Sequence, residues 1–357
     1  LDYTSVFSTS LIEQANEQQV TRKSTPRDVV TEARIADARH AIAKVVFRCL
    51  IEASLLYHLE NMVMWGLGPV PGVITVIGFV VGLFMALKRR PAEILLMAGA
   101  IPYFLTILTL ESKWMRYMLP LVPIFCLLGA AFLVRGIEWQ SRRWPQAVAR
   151  TVKGWRFQAL QRNLFRVLTG VTVGAAFLWA VSFMSIYTQE HSRIQASRWI
   201  AANVPEGSTK NTEAWDDALP VGVVGAPAYT NLDFAIYDYR PPEDVFLYLK
   251  EQLAKTDYVF LASNRLYGSV DNMPWAYPVQ IKYYDLLFKE KLGFVKVYTS
   301  QVTPSLLGIR FDDQGADESF TVYDHPRVDI FKKVTQLTDE QMRSLFSSAL
   351  NPANEYT

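Results

Sequence analysis

A short charged stretch, ESKWMRYMLP at residues 111–120, separates two long apolar segments and carries residue types that can bind an anion. Lys113 and Arg116 supply two cations, and Tyr117 adds a hydroxyl group. At a membrane surface such cations can hold the phosphate of a lipid, because arginine offers a forked pair of donors and lysine a compact charge. In the alternative interpretation, the cations and the tyrosine only anchor a helix end at the interface. The residues alone leave both interpretations open.

Two further groups of polar residues lie in the C-terminal half of the chain. Asp216 and Asp217 follow Trp215, and adjacent carboxylates beside an aromatic ring can bind a cation or a sugar. On a strand the two acids would point to opposite faces, so a turn with solvated acids is the competing interpretation. Asn264 and Arg265 follow an apolar segment, DYVFLAS, at a position where ligand-binding loops occur but solvated connections are commoner. Both groups are candidates for sugar or acceptor binding.

Acid–base and metal chemistry have weaker signals. Asp324 and His325 could form an acid–base pair, but neighbours on a strand point apart, so a turn with a locally bonded His325 is favoured. The two cysteines, Cys49 and Cys126, have no partner at the spacing of metal ligands, and no histidine lies in the middle of an apolar segment. We therefore expect no metal and no other cofactor.

The elements that must position these candidates fall into two parts of different composition. Half of the 357 residues are hydrophobic and a fifth are charged, yet residues 61–187 are mostly apolar. Crossing the hydrocarbon core of a bilayer as a helix takes about 20 apolar residues. Four segments have this length, at residues 66–87, 92–110, 117–134 and 164–185. The sequence therefore predicts a four-helix transmembrane domain over residues 61–187.

Basic residues between the predicted spans indicate their orientation. The loop at 88–90 reads KRR, and the loop at 135–166 contains eight Lys or Arg and one acidic residue. Both loops are expected in the cytoplasm, the second lying with its Trp and Arg side chains on anionic lipid headgroups. The loop containing Lys113 and residues 188–357 would then be extracytoplasmic. Residues 1–60 are expected to form an external juxtamembrane helical segment.

Residues 188–357 alternate between helix and strand patterns, which is typical of an α/β domain. Helices are predicted at SRIQASRWIAANV, PPEDVFLYLKEQLAKT, VQIKYYDLLFKEKLG and TDEQMRSLFSSAL. Strands are predicted at NLDFAIYDY, DYVFLAS, FVKVYTSQ, LGIRF and FTVYDHPRVDIFKK. The predicted fold class is therefore an α-helical multi-pass membrane domain plus an extracytoplasmic α/β domain.

Several stretches occur in an order that resembles a known family. They are LLYHLENMVMWGLGPVPGV, KWMRYMLPLVP, ASRWIAANVPEGS with EAWDDALP, and FTVYDHPRVDIFKK. The chain resembles the C-terminal half of bacterial GT-C-type membrane glycosyltransferases, namely family 39 proteins similar to dolichyl-phosphate-mannose mannosyltransferases and the related YYY membrane proteins. The resemblance implies that Lys113, Arg116 and Tyr117 contact the phosphate of a polyprenyl carrier. It also implies a carboxylate base in a first external loop, and no such loop precedes the first predicted span.

Two functional hypotheses follow. The first is a glycosyltransferase that moves a sugar from a polyprenyl-phosphate carrier to an acceptor at the outer face of the cell membrane, with membrane lipids and the donor as partners. Because the chain begins with Leu1, we expect it to be part of a longer protein whose N-terminal half supplies the base. The alternative is a non-catalytic accessory or scaffold subunit of a larger membrane complex, with the aromatic-rich residues 275–288 as a docking face. Nucleic acid is not an expected partner.

Overall fold

The structure, a computed structural model, describes residues 54–110, 113–143 and 155–350. Several predicted features lie outside these residues: most of the juxtamembrane segment 1–60, Glu111, Cys49 and part of the basic loop 135–166.

Among the described residues, five helices make up the apolar part of the molecule. A helix over residues 54–61 (α1) runs into a π-helical turn, Met62–Gly66. Four longer helices follow, at Pro69–Leu87 (α2), Pro91–Leu108 (α3), Val122–Arg143 (α4) and Trp155–Met184 (α5). Proline opens both α2 and α3, where its missing N–H would have had no helical partner. By length and composition, the structure contains four helices able to cross a membrane in the described part of the chain, as the sequence predicts.

The outward surfaces of these helices are apolar. The exposed fraction is 76% for Leu87, 76% for Leu95 and 66% for Phe177. Soluble proteins rarely expose apolar side chains over so wide an area, whereas helices that face hydrocarbon do so along their whole length. The exposed surface therefore agrees with the composition of the four helices.

Two small residues bring α2 and α4 into close contact. A Cβ atom added to Gly78 would lie 2.4 Å from the backbone nitrogen of Gly129, so a larger side chain would push the helices apart. Close approach through small residues is a common way of packing apolar helices. Beside this contact the rings of Phe79 and Phe125 stack with their centroids 4.4 Å apart.

The helix ends form two groups. Glu93 in the first turn of α3 forms an ion pair with Arg135 of α4. At the other end, the indole of Trp179 in α5 donates to the carbonyl oxygen of Trp65 at 3.1 Å. The KRR segment and the end of α4 therefore lie at one end of the bundle. Arg116, in the connection from α3 to α4, lies at the opposite end and contacts the α/β domain.

The α/β domain follows a 3-10 turn, Ser185–Thr188. Its elements in chain order are α6 (Ser192–Asn203), β1 (Thr209–Glu213), β2 (Thr230–Phe234), α7 (Pro242–Lys255), β3 (Tyr258–Leu261), α8 (Arg265–Val270), α9 (Pro278–Phe288), β4 (Phe294–Ser300), β5 (Ser305–Leu306), β6 (Ile309–Arg310), α10 (Glu318–Thr321), β7 (Val328–Lys333), α11 (Asp339–Leu345) and α12 (Ser347–Leu350). The mixed α/β sheet domain that the sequence predicts is therefore present.

Five strands form one sheet in the order β2-β1-β3-β7-β4. Strands β2, β1 and β3 are parallel, and β7 runs antiparallel to both of its neighbours. Alternate residues of β3 face opposite sides: Val259 and Leu261 pack in the core beneath α7 and α9, while Tyr258 and Phe260 pack against α6. The sheet is thus the middle of three layers.

Two strands were not predicted, β1 and the two-residue β5. The β1 sequence TKNTE is polar, and its side chains are buried through hydrogen bonds rather than apolar packing. The Lys210 ammonium donates to Asn231 Oδ1 at 2.7 Å, and Asn211 Oδ1 accepts the backbone N–H of Phe260 at 2.6 Å. Hydrophobic alternation therefore gives no signal for this strand.

Two other predictions were wrong in part. The stretch FTVYDHPRVDIFKK is not one strand, because Asp317 caps the short helix α10 and β7 begins only at Val328. The aromatic-rich stretch 275–288 is not an exposed face along α9, where Tyr283 and Tyr284 are buried in the core beneath the sheet. These two tyrosines are therefore not available to a partner, and a docking role for the rest of the stretch stays a prediction.

Candidate active site

A cavity of about 940 Å³ lies between the α/β domain and the connection from α3 to α4. It is lined by Trp114, Arg116, Trp215, Tyr237, Tyr239, Arg265, Met273, Trp275, Ala276, Tyr277, Glu318 and Tyr323. Residues more than 200 positions apart in the chain thus meet at one place.

Three parallel strands end at the rim of this cavity. Trp215 follows β1, Tyr237 follows β2, and Arg265 follows β3. The carboxyl ends of neighbouring parallel strands lie at one edge of a sheet, and ligands of α/β proteins commonly bind there. Arg265 also donates a hydrogen bond from its guanidinium to the carbonyl oxygen of Trp215, which joins two of these loops.

Two arginines from different elements share one wall of the cavity. Arg116 lies over the ring of Trp114, with its Cζ atom 4.4 Å from the ring centroid. Its Nη1 atom donates to the hydroxyl oxygen of Tyr323 at 3.2 Å. The Cζ atom of Arg265 lies 5.5 Å from the centroid of the same tyrosine ring. Tyr323 therefore contacts both cations and fixes them beside each other.

Glu318 is the only carboxylate that lines the cavity among the residues that the structure describes. Glu318 is 6% exposed, and its Oε2 atom has no hydrogen-bond partner in the described part of the chain. Burial raises the pKa of Glu318 from 4.5 to about 7; Asp317 adds to this rise, and Arg116 and Arg265 oppose it. Near neutral pH the carboxyl group therefore populates both protonation states, which suits proton transfer.

Aromatic rings form most of the remaining wall. They are Trp114, Trp215, Tyr237, Tyr239, Trp275, Tyr277 and Tyr323. Trp215 is 76% exposed and has a φ angle of 76°, a left-handed conformation that is strained for any residue other than glycine. Rings that stand exposed around a cavity can pack against the apolar faces of a ligand, while nearby polar groups fix its orientation.

Comparisons with known proteins identify no relative. No protein-family model matches the chain, and no curated protein and no solved structure matches it significantly. The arguments about function therefore rest on the residues and their geometry.

Three of the eight residues predicted to bind a ligand line the cavity. They are Arg116, Trp215 and Arg265, which the sequence assigns to two separate groups and the structure brings together. Residues from the two predicted groups thus line the same cavity.

Lys113 and Tyr117 lie beside the cavity without lining it. The carbonyl oxygen of Lys113 accepts a hydrogen bond from the Tyr57 hydroxyl at 3.3 Å, and burial lowers the pKa of the Lys113 ammonium. Tyr117 packs edge-on against Trp114 with ring centroids 5.4 Å apart, and its carbonyl oxygen accepts from the Tyr103 hydroxyl at 2.9 Å. Both residues hold the Arg116 connection in place.

Asp216 and Asp217 lie in a turn, as one interpretation of the sequence expects, but only one of them is solvated. The Asp217 side chain is 63% exposed, whereas that of Asp216 is 2% exposed. Arg193 of α6 donates to Asp216 and forms an ion pair with Asp217, each at 3.0 Å, and the Ser263 hydroxyl donates to Asp216 at 2.5 Å. These residues form a closed network next to the cavity rather than part of its wall.

Asn264 and the Asp324–His325 pair also have structural contacts. Asn264 is buried, and its Oδ1 atom accepts from the Thr321 hydroxyl at 3.2 Å. His325 is in a turn and fully buried, with its Nε2 atom 2.6 Å from Asp313 Oδ2. Asp324 instead accepts from the Tyr187 hydroxyl at 2.9 Å. The histidine therefore pairs with a different carboxylate from the one adjacent in the sequence.

Sequence reasoning missed Glu318 and most of the aromatic wall. Tyr237 and Tyr239 belong to the predicted strand NLDFAIYDY, but the observed strand ends at Phe234, so these tyrosines follow its carboxyl end. The argument that singles out Arg265 after β3 would have singled them out too. Glu318 has no comparable signal, because it lies in a polar stretch between the predicted strands LGIRF and FTVYDHPRVDIFKK, where no element is predicted. Among the described residues, no group of three or more His, Cys, Asp or Glu could hold a metal ion.

Proposed function

We propose that this protein is a multi-pass membrane glycosyltransferase that moves a sugar from a polyprenyl-phosphate carrier to an acceptor at the outer face of the cell membrane. The observation that carries the proposal is the cavity at the end of the helix bundle opposite the KRR segment, where Arg116 and Arg265 face the same space. Aromatic rings and a single described carboxylate complete its lining.

The position of the arginines fits the phosphate of a membrane-embedded carrier. A polyprenyl chain lies in the hydrocarbon, so its phosphate lies at the interface, near the ends of the spans. Arg116 lies in the connection from α3 to α4, and Arg265 reaches the same space from the α/β domain. Guanidinium groups bind phosphate oxygens through paired hydrogen bonds and stabilise the negative charge that develops when phosphate leaves.

The rest of the cavity fits a sugar. Tyr239 and Trp275 are 80% and 56% exposed, and together with Trp215 they present rings to the cavity. Pockets for small ligands usually measure about 300–1,000 Å³ and combine apolar rings with a few polar groups. A volume of about 940 Å³ can hold a sugar phosphate together with part of an acceptor.

Charge distribution supports an extracytoplasmic cavity. The KRR segment and the basic end of α4 lie at the end of the bundle opposite Arg116. Basic loops stay in the cytoplasm, so the cavity and the α/β domain lie outside.

Labelling of intact cells tests this orientation. In a chain whose Cys49 and Cys126 are replaced by alanine, Glu251→Cys and Arg90→Cys each introduce one exposed thiol. A membrane-impermeant maleimide should label the Glu251→Cys variant in intact cells and the Arg90→Cys variant only after lysis. The reverse pattern would contradict an extracytoplasmic site.

Sugar transfer from a synthetic polyprenyl-phosphate sugar by the full-length protein in proteoliposomes tests the activity. The double variant Arg116→Ala, Arg265→Ala should lose at least ~100-fold in rate, the loss expected when donors to a developing negative charge are removed. Arg343→Ala is the matched control, because Arg343 pairs with Glu243 at the surface, away from the cavity. Equal rates in the double variant and the control would remove the two arginines from the site. A wild-type protein that transfers no sugar would favour the accessory-subunit alternative.

A further inference from the structure

We infer that Glu318 is the catalytic base of this transfer and takes the proton of the acceptor's hydroxyl group inside the cavity. The inference rests on the proposed function. It places the base in the α/β domain of this chain, whereas the family resemblance implies a base in a first external loop.

The first reason is a buried carboxylate oxygen of Glu318 that has no hydrogen-bond partner in the described part of the chain. Glu318 lines the cavity and is 6% exposed, yet its Oε2 atom has no hydrogen-bond partner among the residues that the structure describes. A buried polar atom without a partner is unfavourable, so such atoms are rare in folded proteins and often mark a binding or catalytic role. Because Glu318 lines the cavity, a hydroxyl group of an acceptor bound there can form a hydrogen bond with its carboxyl group.

The second reason is the rigid support of the Glu318 backbone. The preceding residue, Asp317, accepts the backbone N–H of Ser319 at 2.8 Å and thereby caps α10. The backbone N–H of Asp317 donates to Asn61 Oδ1 at 2.8 Å, and the hydroxyl of Tyr57 donates to the Asp317 carboxylate. These hydrogen bonds connect α10 to α1 and hold the backbone on either side of Glu318. They involve Asp317 and not the side chain of Glu318, which lines the cavity.

The third reason is the set of charged and titratable groups around Glu318. They come from several elements and are Asp317, Arg116, Arg265, Asp216, Tyr57 and Tyr237. The two aspartates favour the neutral form of Glu318, and the two arginines favour the charged form. Burial raises the pKa of Tyr237 to about 12 and raises that of Tyr57 further. Both tyrosines therefore stay protonated near neutral pH, where Glu318 can exchange a proton.

In the proposed step, Glu318 accepts a proton while the sugar moves from the carrier to the acceptor. The carboxylate of Glu318 takes the proton from the acceptor's hydroxyl group, and the acceptor oxygen forms a bond to the anomeric carbon of the sugar. The bond from that carbon to the phosphate oxygen breaks, and its electron pair stays on the phosphate. Arg116 and Arg265 bind the departing polyprenyl phosphate. The products are a glycosylated acceptor, polyprenyl phosphate and a protonated Glu318, which later releases its proton to solvent.

The test compares Glu318→Gln with the wild-type protein in the proteoliposome assay between pH 5.5 and 9. The kcat/KM of the wild type should rise with pH through about 7, the pKa of Glu318, and then level off. Glu318→Gln should lower kcat/KM by ~10²–10⁴-fold and abolish that rise. The matched control is Glu213→Gln, because Glu213 is also a buried carboxylate with a raised pKa but does not line the cavity. The control should keep the wild-type rate at pH 7 and the rise of kcat/KM with pH.

A binding measurement separates the base from the proposed function. Quenching of tryptophan fluorescence by a short-chain polyprenyl phosphate should give Glu318→Gln an affinity at least equal to that of the wild type, because the amide removes a negative charge. If the wild type transfers sugar and Glu318→Gln is within ~3-fold of it, the base is another group and the proposed function stands. If the wild type transfers no sugar, the proposed function and the inference both fail.

A second variant covers a failure of Glu318→Gln to fold. Glu318→Asp keeps a carboxylate but withdraws it by one methylene group. It should retain the rise of kcat/KM with pH at a rate below that of the wild type. Loss of the rise in Glu318→Asp, with folding intact by thermal unfolding, would overturn the assignment of Glu318.

Discussion

Glu213 and Glu318 are both buried carboxylates, but they lie in regions of opposite character. Glu213 is 3% exposed at the end of β1, where the Tyr284 hydroxyl donates to it at 2.7 Å, and burial raises its pKa from 4.5 to about 8. Glu318 faces a cavity that two arginines share. Burial alone therefore does not mark a functional group. Access for a ligand and nearby cations distinguish the second carboxylate from the first.

The arginines of the closed network and of the cavity differ in the same way, in how many of their donors are already used. Arg193 is 7% exposed, and its guanidinium donates to Asp216 and to the carbonyl oxygens of Ala262 and Val322, and it forms an ion pair with Asp217. Arg116 and Arg265 each make one hydrogen bond through the guanidinium in the described part of the chain and keep donors for a ligand. We therefore expect the closed network to determine stability and the cavity to determine activity.

Removal of Arg193 should give the largest effect. Arg193→Met leaves Asp216 buried without its cation, and breaking a buried pair costs about 3–5 kcal/mol. Scanning fluorimetry in detergent should show unfolding roughly 10 °C below the wild type. Arg198→Met is the matched control, since Arg198 is 68% exposed and pairs with Glu190 on the surface. Exposed pairs contribute about 0–1 kcal/mol. Similar losses in the two variants would contradict the difference between the regions.

Glu213 should make stability depend on pH. Its raised pKa favours the neutral form in the folded state, so the stability that it contributes is present below about pH 4.5 and is lost as the pH rises through about 8. Glu213→Gln stays neutral and should lose less stability between pH 5 and 8, by on the order of 3 kcal/mol. Unfolding measured at several pH values checks this. Parallel curves for the variant and the wild type would show that Glu213 is not the titrating group.

Tyr323 should affect activity with little effect on stability. Tyr323→Phe removes the hydroxyl oxygen that accepts from Arg116 and keeps the ring beneath Arg265. A hydrogen bond to a charged group contributes about 1.5 kcal/mol, so kcat/KM should fall roughly 10-fold. Tyr187→Phe is the control, because that hydroxyl donates to Asp324 outside the cavity wall. An equal fall in both variants would show that the tyrosine hydroxyls act through stability.

The backbone at Trp215 gives the smallest predicted effect. Because its φ angle is positive, Trp215→Gly should be more stable than Trp215→Ala by about 1 kcal/mol. Tyr239 is also exposed but has no positive φ angle, so Tyr239→Ala should be more stable than Tyr239→Gly. Unfolding of the four variants measures both differences. If Trp215→Ala were more stable than Trp215→Gly, Trp215 would not be held in a strained conformation.

Local patterns predicted most elements but few of their contacts. The helix with Thr338 as its cap is present as expected, with a complete capping box to Gln341, because capping depends on neighbouring residues only. β1 escaped prediction because its Lys210 and Asn211 are buried by partners from distant strands. The same limit applies to the site: Arg116, Trp215 and Arg265 were candidates in three separate stretches, and no local pattern predicts that they line one cavity.

The sequence by itself determined the four apolar helices, the alternating elements of the α/β domain and three of the residues that line the cavity. These follow from hydrophobicity, periodicity and turn chemistry, which act over a few residues. Only the tertiary structure decided that Asp216 belongs to a closed network and that Glu318 faces the cavity. Both outcomes depend on what chain packing brings near a carboxyl group, because burial and neighbouring charges determine whether it is paired, neutral or free to react.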